Sequence, residues 1–170
     1  MRRHQPYDPY RTVIRCFNGN GVRYVVIGMS GINYYSQKAA ETFATLDYDL
    51  FIEPTLTNVA QAIRSLKGLG FTIRTAAGLL KGEDLRNVVR GKRTLVATTP
   101  EGLTVELLLA MSGFPFTELA KDAATFTVRG VPVKVGRLTK LLQSKKLAGR
   151  AKDRDFLRRY QTLLEVRSNE

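Results

Sequence analysis

The sequence predicts an α+β or α/β fold in which a mixed β-sheet is flanked by helices. Three observations predict it. Compact β-branched and aromatic runs, such as Tyr24 to Ile27, Leu46 to Ile52 and Leu103 to Leu109, read as strands. Segments with apolar residues at helical spacing, such as Val59, Ala60, Ile63 and Leu66, read as helices. The two kinds interleave along the chain, which favours a sheet with helices packed on it over an all-α or all-β design. With 170 residues, 44% of them hydrophobic, the chain has enough material for one compact core and too little for two large ones. A single domain over residues 1–170 is expected, with 1–9 a loose N-terminal tail and 137–166 a C-terminal helical pair.

Val13, Ile14 and Phe17 recur at helical spacing after Pro9, and Asn18 to Gly21 supply stop and turn chemistry, so a short first helix is expected. The strand Tyr24–Ile27 follows. Gly28 to Gly31 break it, and a helix is expected to begin at Ile32. An acidic strand over residues 46–53 is closed by Pro54, and a helix runs from Leu56 to Leu69 with Gly68 and Gly70 at its end. Phe71 to Ile73 reads as strand, and a short helix is expected near Glu83 to Arg90. Thr94 to Thr98, Leu103 to Leu109, Thr125 to Val128 and Val131 to Val135 read as four further strands, with Arg129-Gly130 a tight turn between the last two. Leu138, Leu141 and Leu142 then open a helix that reaches Gly149, and Asp153 to Val166 forms a second. No internal repeat or low-complexity linker divides the chain.

Lys plus Arg number 27 against 15 Asp plus Glu, a formal net charge of +12, so the long-range field favours an anionic partner, nucleic acid first among them. Charge alone serves equally a basic protein that binds RNA without specificity. Cys16 is the only cysteine and His4 the only histidine, which excludes an internal disulfide, multi-cysteine zinc sites and histidine-dependent triads. A reducing cytoplasm is the expected compartment. No secretory leader or membrane-spanning apolar run is seen.

Asp47 and Asp49 stand one residue apart in a strand, and alternate strand residues share a face. Two carboxylates pointing the same way repel, and a divalent cation resolves the repulsion. Oxygen-only ligation suits Mg²⁺ when it also holds substrate phosphates. Glu106 interrupts the apolar run Leu103 to Leu109, where a lone buried carboxylate would be costly, so it must face a cation, a basic side chain or a cleft. Gly28-Met29-Ser30-Gly31, where a strand hands over to a helix, can aim N–H groups and a hydroxyl at phosphate oxygens; a close-packing turn is the commoner use of such glycines.

Together these segments, with Ser144-Lys145 and Gly149-Arg150-Ala151-Lys152-Asp153 downstream, resemble the nucleotidyltransferase superfamily of DNA-polymerase-beta-like fold, specifically its small bacterial members related to abortive-infection and toxin-type nucleotidyltransferases. The resemblance runs from Tyr24 to Asp153. It implies a nucleotidyltransferase-like fold with Asp47, Asp49 and Glu106 as catalytic metal ligands for Mg²⁺ or Mn²⁺, Gly28 and Ser30 as the turn that holds the triphosphate, and Lys145, Arg150 and Lys152 as nucleotide contacts. Met29 stands where the family has a second glycine. Asp153 matches the end of the pattern, although an acid there also serves as a helix cap. The implied activity is transfer of a nucleoside monophosphate from an NTP to a hydroxyl acceptor. RNA, for instance a tRNA end, is the leading acceptor; a small hydroxylated antibiotic or a protein side chain also fits. The resemblance further implies a toxin–antitoxin setting with an antitoxin-like protein partner. The alternative is a non-catalytic RNA- or protein-binding module that keeps the fold.

Overall fold

The computed structural model describes residues 9–35 and 47–168. The expected tail, with His4, therefore lies outside the described residues, apart from Pro9. That proline opens helix α1 (Pro9–Gly19) rather than ending a loose segment, as a residue with no N–H to satisfy and a helix-ready φ can. Strand β1 (Tyr24–Val26) leads into helix α2 (Gly28–Asn33), and β2 (Asp47–Ile52) and α3 (Leu56–Gly68) follow. Next come β3 (Thr72–Thr75), β4 (Gly78–Leu79), a 3₁₀ turn over Gly82–Asp84, α4 (Leu85–Arg90), β5 (Leu95–Thr98) and β6 (Thr104–Leu108). The chain continues through α5 (Phe116–Lys121), the hairpin β7 (Ala124–Val128) and β8 (Val131–Val135), α6 (Leu138–Ala148) and α7 (Ala151–Ser168).

The eight strands form one mixed sheet in the order β4-β3-β5-β6-β2-β1-β8-β7. Its centre is the triplet β6-β2-β1, parallel between β2 and β6 and antiparallel between β1 and β2. Tyr24, Val25 and Val26 are all buried, as are Leu50, Phe51 and Ile52, because these strands are covered on both faces. One cover is α1 and α3, whose stripes Val13, Ile14, Phe17 and Val59, Ala62, Ile63, Leu66 are buried. Tyr48 points to this side, stacked on Tyr10 with ring centroids 4.5 Å apart and hydrogen-bonded to the Tyr34 hydroxyl. Phe51 points to the other side, edge-on to Phe116 of α5 at 5.4 Å.

Three expectations are corrected. Helix α2 starts at Gly28 and not at Ile32. Gly31 lies where a Cβ would come within 2.9 Å of the Val26 carbonyl oxygen and 3.1 Å of Leu141 Cδ1, so it allows a close approach inside the helix instead of belonging to a break ahead of it. The two-residue β4 and the six-residue α5 were not expected; both are too short to carry a periodicity. The final helix begins at Ala151, two residues ahead of Asp153. Among the described residues no helix is long and apolar enough to cross a membrane.

Candidate active site

Two hydrogen bonds join the β1–α2 turn to β2, and a third lies within the turn. Ile27 N–H donates to the Asp49 carbonyl at 3.0 Å, extending the β1–β2 ladder by one step. Asp49 N–H donates to Ser30 Oγ at 3.0 Å, and the same hydroxyl donates to the Ile27 carbonyl at 2.8 Å. Ser30 is only 5% exposed, and its proton is committed to Ile27. The hydroxyl read from the sequence as a phosphate contact thus ties the turn to the acidic strand.

Gly28 has φ +65°, and a Cβ built on it would overlap Asp49 Oδ2. Both facts call for glycine: the left-handed conformation strains any L side chain, and the carboxylate occupies the space a methyl would need. Asp49 Oδ1 is itself buried from solvent. On the far side of β2, Glu106 of β6 is the Cα partner of Asp49. Partners in neighbouring strands project to the same face about 5 Å apart, so the two carboxylates stand side by side. Asp47 opens β2 as the partner of Thr104; its side chain lies outside the described residues.

Helix α6 closes the cleft. Leu141, 2% exposed, anchors it, and Lys145, one turn later on the same side, reaches over the cavity. The helix ends at Gly149, whose φ of +65° lets its N–H cap the Lys145 carbonyl at 3.2 Å. The reversal brings Asp153, in the first turn of α7, back onto Lys145. The Asp153 side chain is 1% exposed and holds two cations: Lys145 Nζ lies 3.3 Å from Oδ1, and Arg150 donates Nε to Oδ2 at 2.7 Å and Nη2 to Oδ1 at 3.4 Å. Burial pushes the Asp153 carboxyl up, but the Arg150 hydrogen bond and the charges of Lys145 and Arg150 outweigh it and hold it below the ordinary carboxylate range. Asp153 is therefore more than a helix cap. Phe156, one turn on, places its ring 5.0 Å from Lys145 Nζ.

A cavity of about 700 Å³ joins these parts. Gly28, Asp49, Glu106, Lys145, Arg150 and Lys152 all line it, whereas Ser30 does not. Met29 is also in its wall. The volume is in the range of small-molecule sites, and acids on the sheet face cations on α6 and α7 across it, an arrangement suited to an anion carried with a divalent cation. Among the described residues no group of three or more His, Cys, Asp or Glu side chains gathers to hold a metal ion. The pair Asp49 and Glu106 nevertheless matches the one or two carboxylates through which Mg²⁺ commonly binds when phosphates complete its shell.

Sequence reasoning missed Ser112 and Phe156 in the cavity wall, and the pairing role of Asp153. The signal for the last two was present: Asp153, Phe156 and Tyr160 recur at helical spacing, and all three are buried.

No protein-family model matches the chain, and no curated protein matches it significantly. The fold is similar to the crystal structure of a "putative nucleotidyltransferase" from Thermotoga maritima, with a TM-score of 0.60 and 14% sequence identity over 95% of this chain and 99% of that one. At that identity the likeness establishes the nucleotidyltransferase-like fold.

Proposed function

We propose that this cleft transfers a nucleoside monophosphate from an NTP to a hydroxyl acceptor. The observation that carries the reading is the in-register pair Asp49 and Glu106 facing Lys145, Arg150 and Lys152 across one cavity. In the reaction the acceptor oxygen attacks the α-phosphorus, the bond from that phosphorus to the β-bridging oxygen breaks, and pyrophosphate leaves. Glu106 takes the acceptor's proton on a carboxylate oxygen. Lys145, held by Asp153, and Arg150 and Lys152 beside it bind and orient the triphosphate. Gly28 keeps the turn clear of the Asp49 carboxylate, and Ser30 fixes that turn against β2. Asp49 and Glu106, with Asp47, would hold Mg²⁺ or Mn²⁺, which when bound neutralises phosphate charge and lowers the acceptor's pKa. RNA is the acceptor the net charge of +12 favours. The small abortive-infection or toxin type, with an antitoxin-like partner, belongs to the same proposal.

The alternative, a non-catalytic binding module, is favoured by Met29 in the cavity wall. The two are separated by incubating the protein with each labelled NTP, Mg²⁺ and total cellular RNA. Label on a discrete RNA band, lost in Glu106→Gln, is the expected result. If no label moves, the binding module stands instead; if Glu106→Gln labels as well as the unaltered protein, the transferase stands and Glu106 is not its base.

A further inference from the structure

The sheet ends on β4 at one side and on β7 at the other. Strand β4 is two residues long, and so short an edge offers little for another strand to pair with. Strand β7 has five residues in unbroken register with β8. An edge of that length is ordinarily guarded by a charged side chain, a proline or a bulge. Its sequence Ala-Thr-Phe-Thr-Val carries no charge and no proline, and its ladder with β8 has no bulge.

The strand beside it decides which backbone groups this edge presents. Gly136 N–H donates to the Val26 carbonyl of β1 at 3.0 Å. Backbone groups alternate sides along a strand, so Pro132 and Lys134 also turn theirs toward β1, and Val131, Val133 and Val135 turn theirs toward β7. Pro132, which has no N–H, thus faces away from the ladder with β7. The turn Arg129-Gly130, with φ of +49° and +81°, closes on the pair Val128 and Val131 in the same phase. Ala124, Phe126 and Val128 therefore use their N–H and C=O groups on β8. Thr125 and Thr127 point theirs outward, and among the described residues no hydrogen bond reaches those groups. Both threonine side chains are exposed on one face, and on the other Phe126 is half-buried against the rings of Tyr35 and Tyr34, at 4.9 and 5.7 Å.

We propose that β7 pairs antiparallel with β7 of a second copy of this chain, about a two-fold axis at Phe126, so that two sheets become one. Hydrogen-bonded and non-hydrogen-bonded pairs alternate in such a ladder. With Phe126 opposite its own copy as a non-hydrogen-bonded pair, Thr125 stands opposite Thr127 of the other copy, and every outward N–H meets an outward C=O. Neighbouring registers do not match. An axis at Thr125 sets Thr127 against Ala123, whose N–H is already given to the Ala120 carbonyl, and an axis at Thr127 sets Thr125 against the turn. The side chains agree with the central register. Non-hydrogen-bonded partners lie closest, which suits an aromatic pair, and threonines directly opposite one another are favourable. The antiparallel sense also brings Arg129 at the end of each strand beside Asp122 of the other copy, whereas a parallel sense would set like charges together. On a chain of net charge +12, an uncharged strand is where a second copy meets least repulsion. Backbone, side chains and end charges all match the strand to itself, which is the mark of a two-fold contact. No residue of β7 lines the nucleotide cavity, so the inference stands apart from the transferase reading.

The experiment is sedimentation velocity on the full chain at physiological salt, from about 1 µM to about 200 µM, the range in which a small interface associates. The unaltered protein is expected to pass from a single chain to twice that mass as concentration rises. Thr125→Lys with Thr127→Lys sets like charges directly opposite in the proposed register and should weaken association about tenfold or more. Thr125→Glu with Thr127→Lys sets Glu opposite Lys of the other copy and should keep the dimer. Thr57→Lys with Gln143→Lys adds the same two charges at exposed helical positions and should leave association within about threefold, since distant surface charges are screened. All the altered positions are exposed, and thermal melts report that each variant is folded. A single chain at every concentration would overturn the proposal and leave the edge to a foreign strand or to none. A dimer that survives the double lysine, or is lost equally in the Glu and Lys combination, would move the contact to another surface or register and overturn it as well.

Discussion

Asp49 and Glu106 are Cα partners in the parallel pair β2–β6, while the next residue back from Asp49, Tyr48, is buried on the opposite face against Tyr10. The stacking fixes which way β2 faces. A one-residue slip would bury the acids and expose the tyrosine, so the register that places the carboxylates together is enforced by packing behind the sheet.

From this pairing, Asp49→Asn should abolish the NTP-dependent binding of Mn²⁺ and leave the fold intact, since only a charge is removed at constant shape. Glu106→Gln should lower nucleotidyl transfer by about 10²–10⁴-fold, the usual contribution of a positioned general base. Calorimetry with Mn²⁺ and NTP reads the first and label transfer the second. Unchanged metal binding in Asp49→Asn would assign that carboxylate to a structural role.

Gly28→Ala tests the close approach of turn and carboxylate. A left-handed φ costs an L residue roughly 1–2 kcal/mol, and here the new methyl also meets Asp49 Oδ2. The expected outcome is a modest fall in thermal stability with a disproportionate loss of metal and NTP binding. Gly31→Ala should behave in the opposite sense. Its Cβ presses on the Val26 carbonyl and Leu141, so stability should fall first. Melting curves set against NTP titrations for the two variants decide the matter.

The order of strands and helices was legible because most elements are long enough to show their period, and Glu106 was legible because an acid inside Leu103 to Leu109 demands an explanation. Other features depend on distant partners and leave no local trace. The Ser30 hydroxyl is directed by a β2 N–H that lies 19 residues away in sequence, so its role could not be read from the turn alone. Gly28 to Gly31 read as a break between strand and helix, and close approaches to Asp49 at Gly28 and to Val26 and Leu141 at Gly31 show why glycines stand inside the helix instead. The Asp153 clasp needs the reversal at Gly149 before the acid can meet Lys145, eight residues earlier.

Lys145→Ala should weaken NTP binding about tenfold or more, because its side chain is 13% exposed and its ammonium is held by Asp153 and set over Phe156. Lys67→Ala changes the net charge equally from an exposed site on α3 and should have a small effect that vanishes as ionic strength rises. A close phosphate contact in a partly enclosed cleft is screened less. Titrations at low and physiological salt check this, and equal losses that disappear together would reduce Lys145 to one more surface cation.

Asp153→Asn probes the clasp through pH. The folded carboxyl titrates below its ordinary value, and the unfolded one near about 3.9. The folded state therefore holds the proton less tightly, and the stabilisation is complete above the unfolded pKa. It is lost as pH falls through the lower folded value. At neutral pH the variant should lose up to about 3 kcal/mol, less than for a fully buried pair because Arg150 is 60% exposed and partly screened by water. Urea unfolding from pH 7 down to pH 3 should then show a constant gap between the two proteins at neutral pH that narrows below about pH 4. NTP affinity should fall in the variant even where it remains fully folded, since Lys145 and Arg150 lose the carboxylate that aims them. A gap in stability with unchanged NTP affinity would make Asp153 a support of α7 alone.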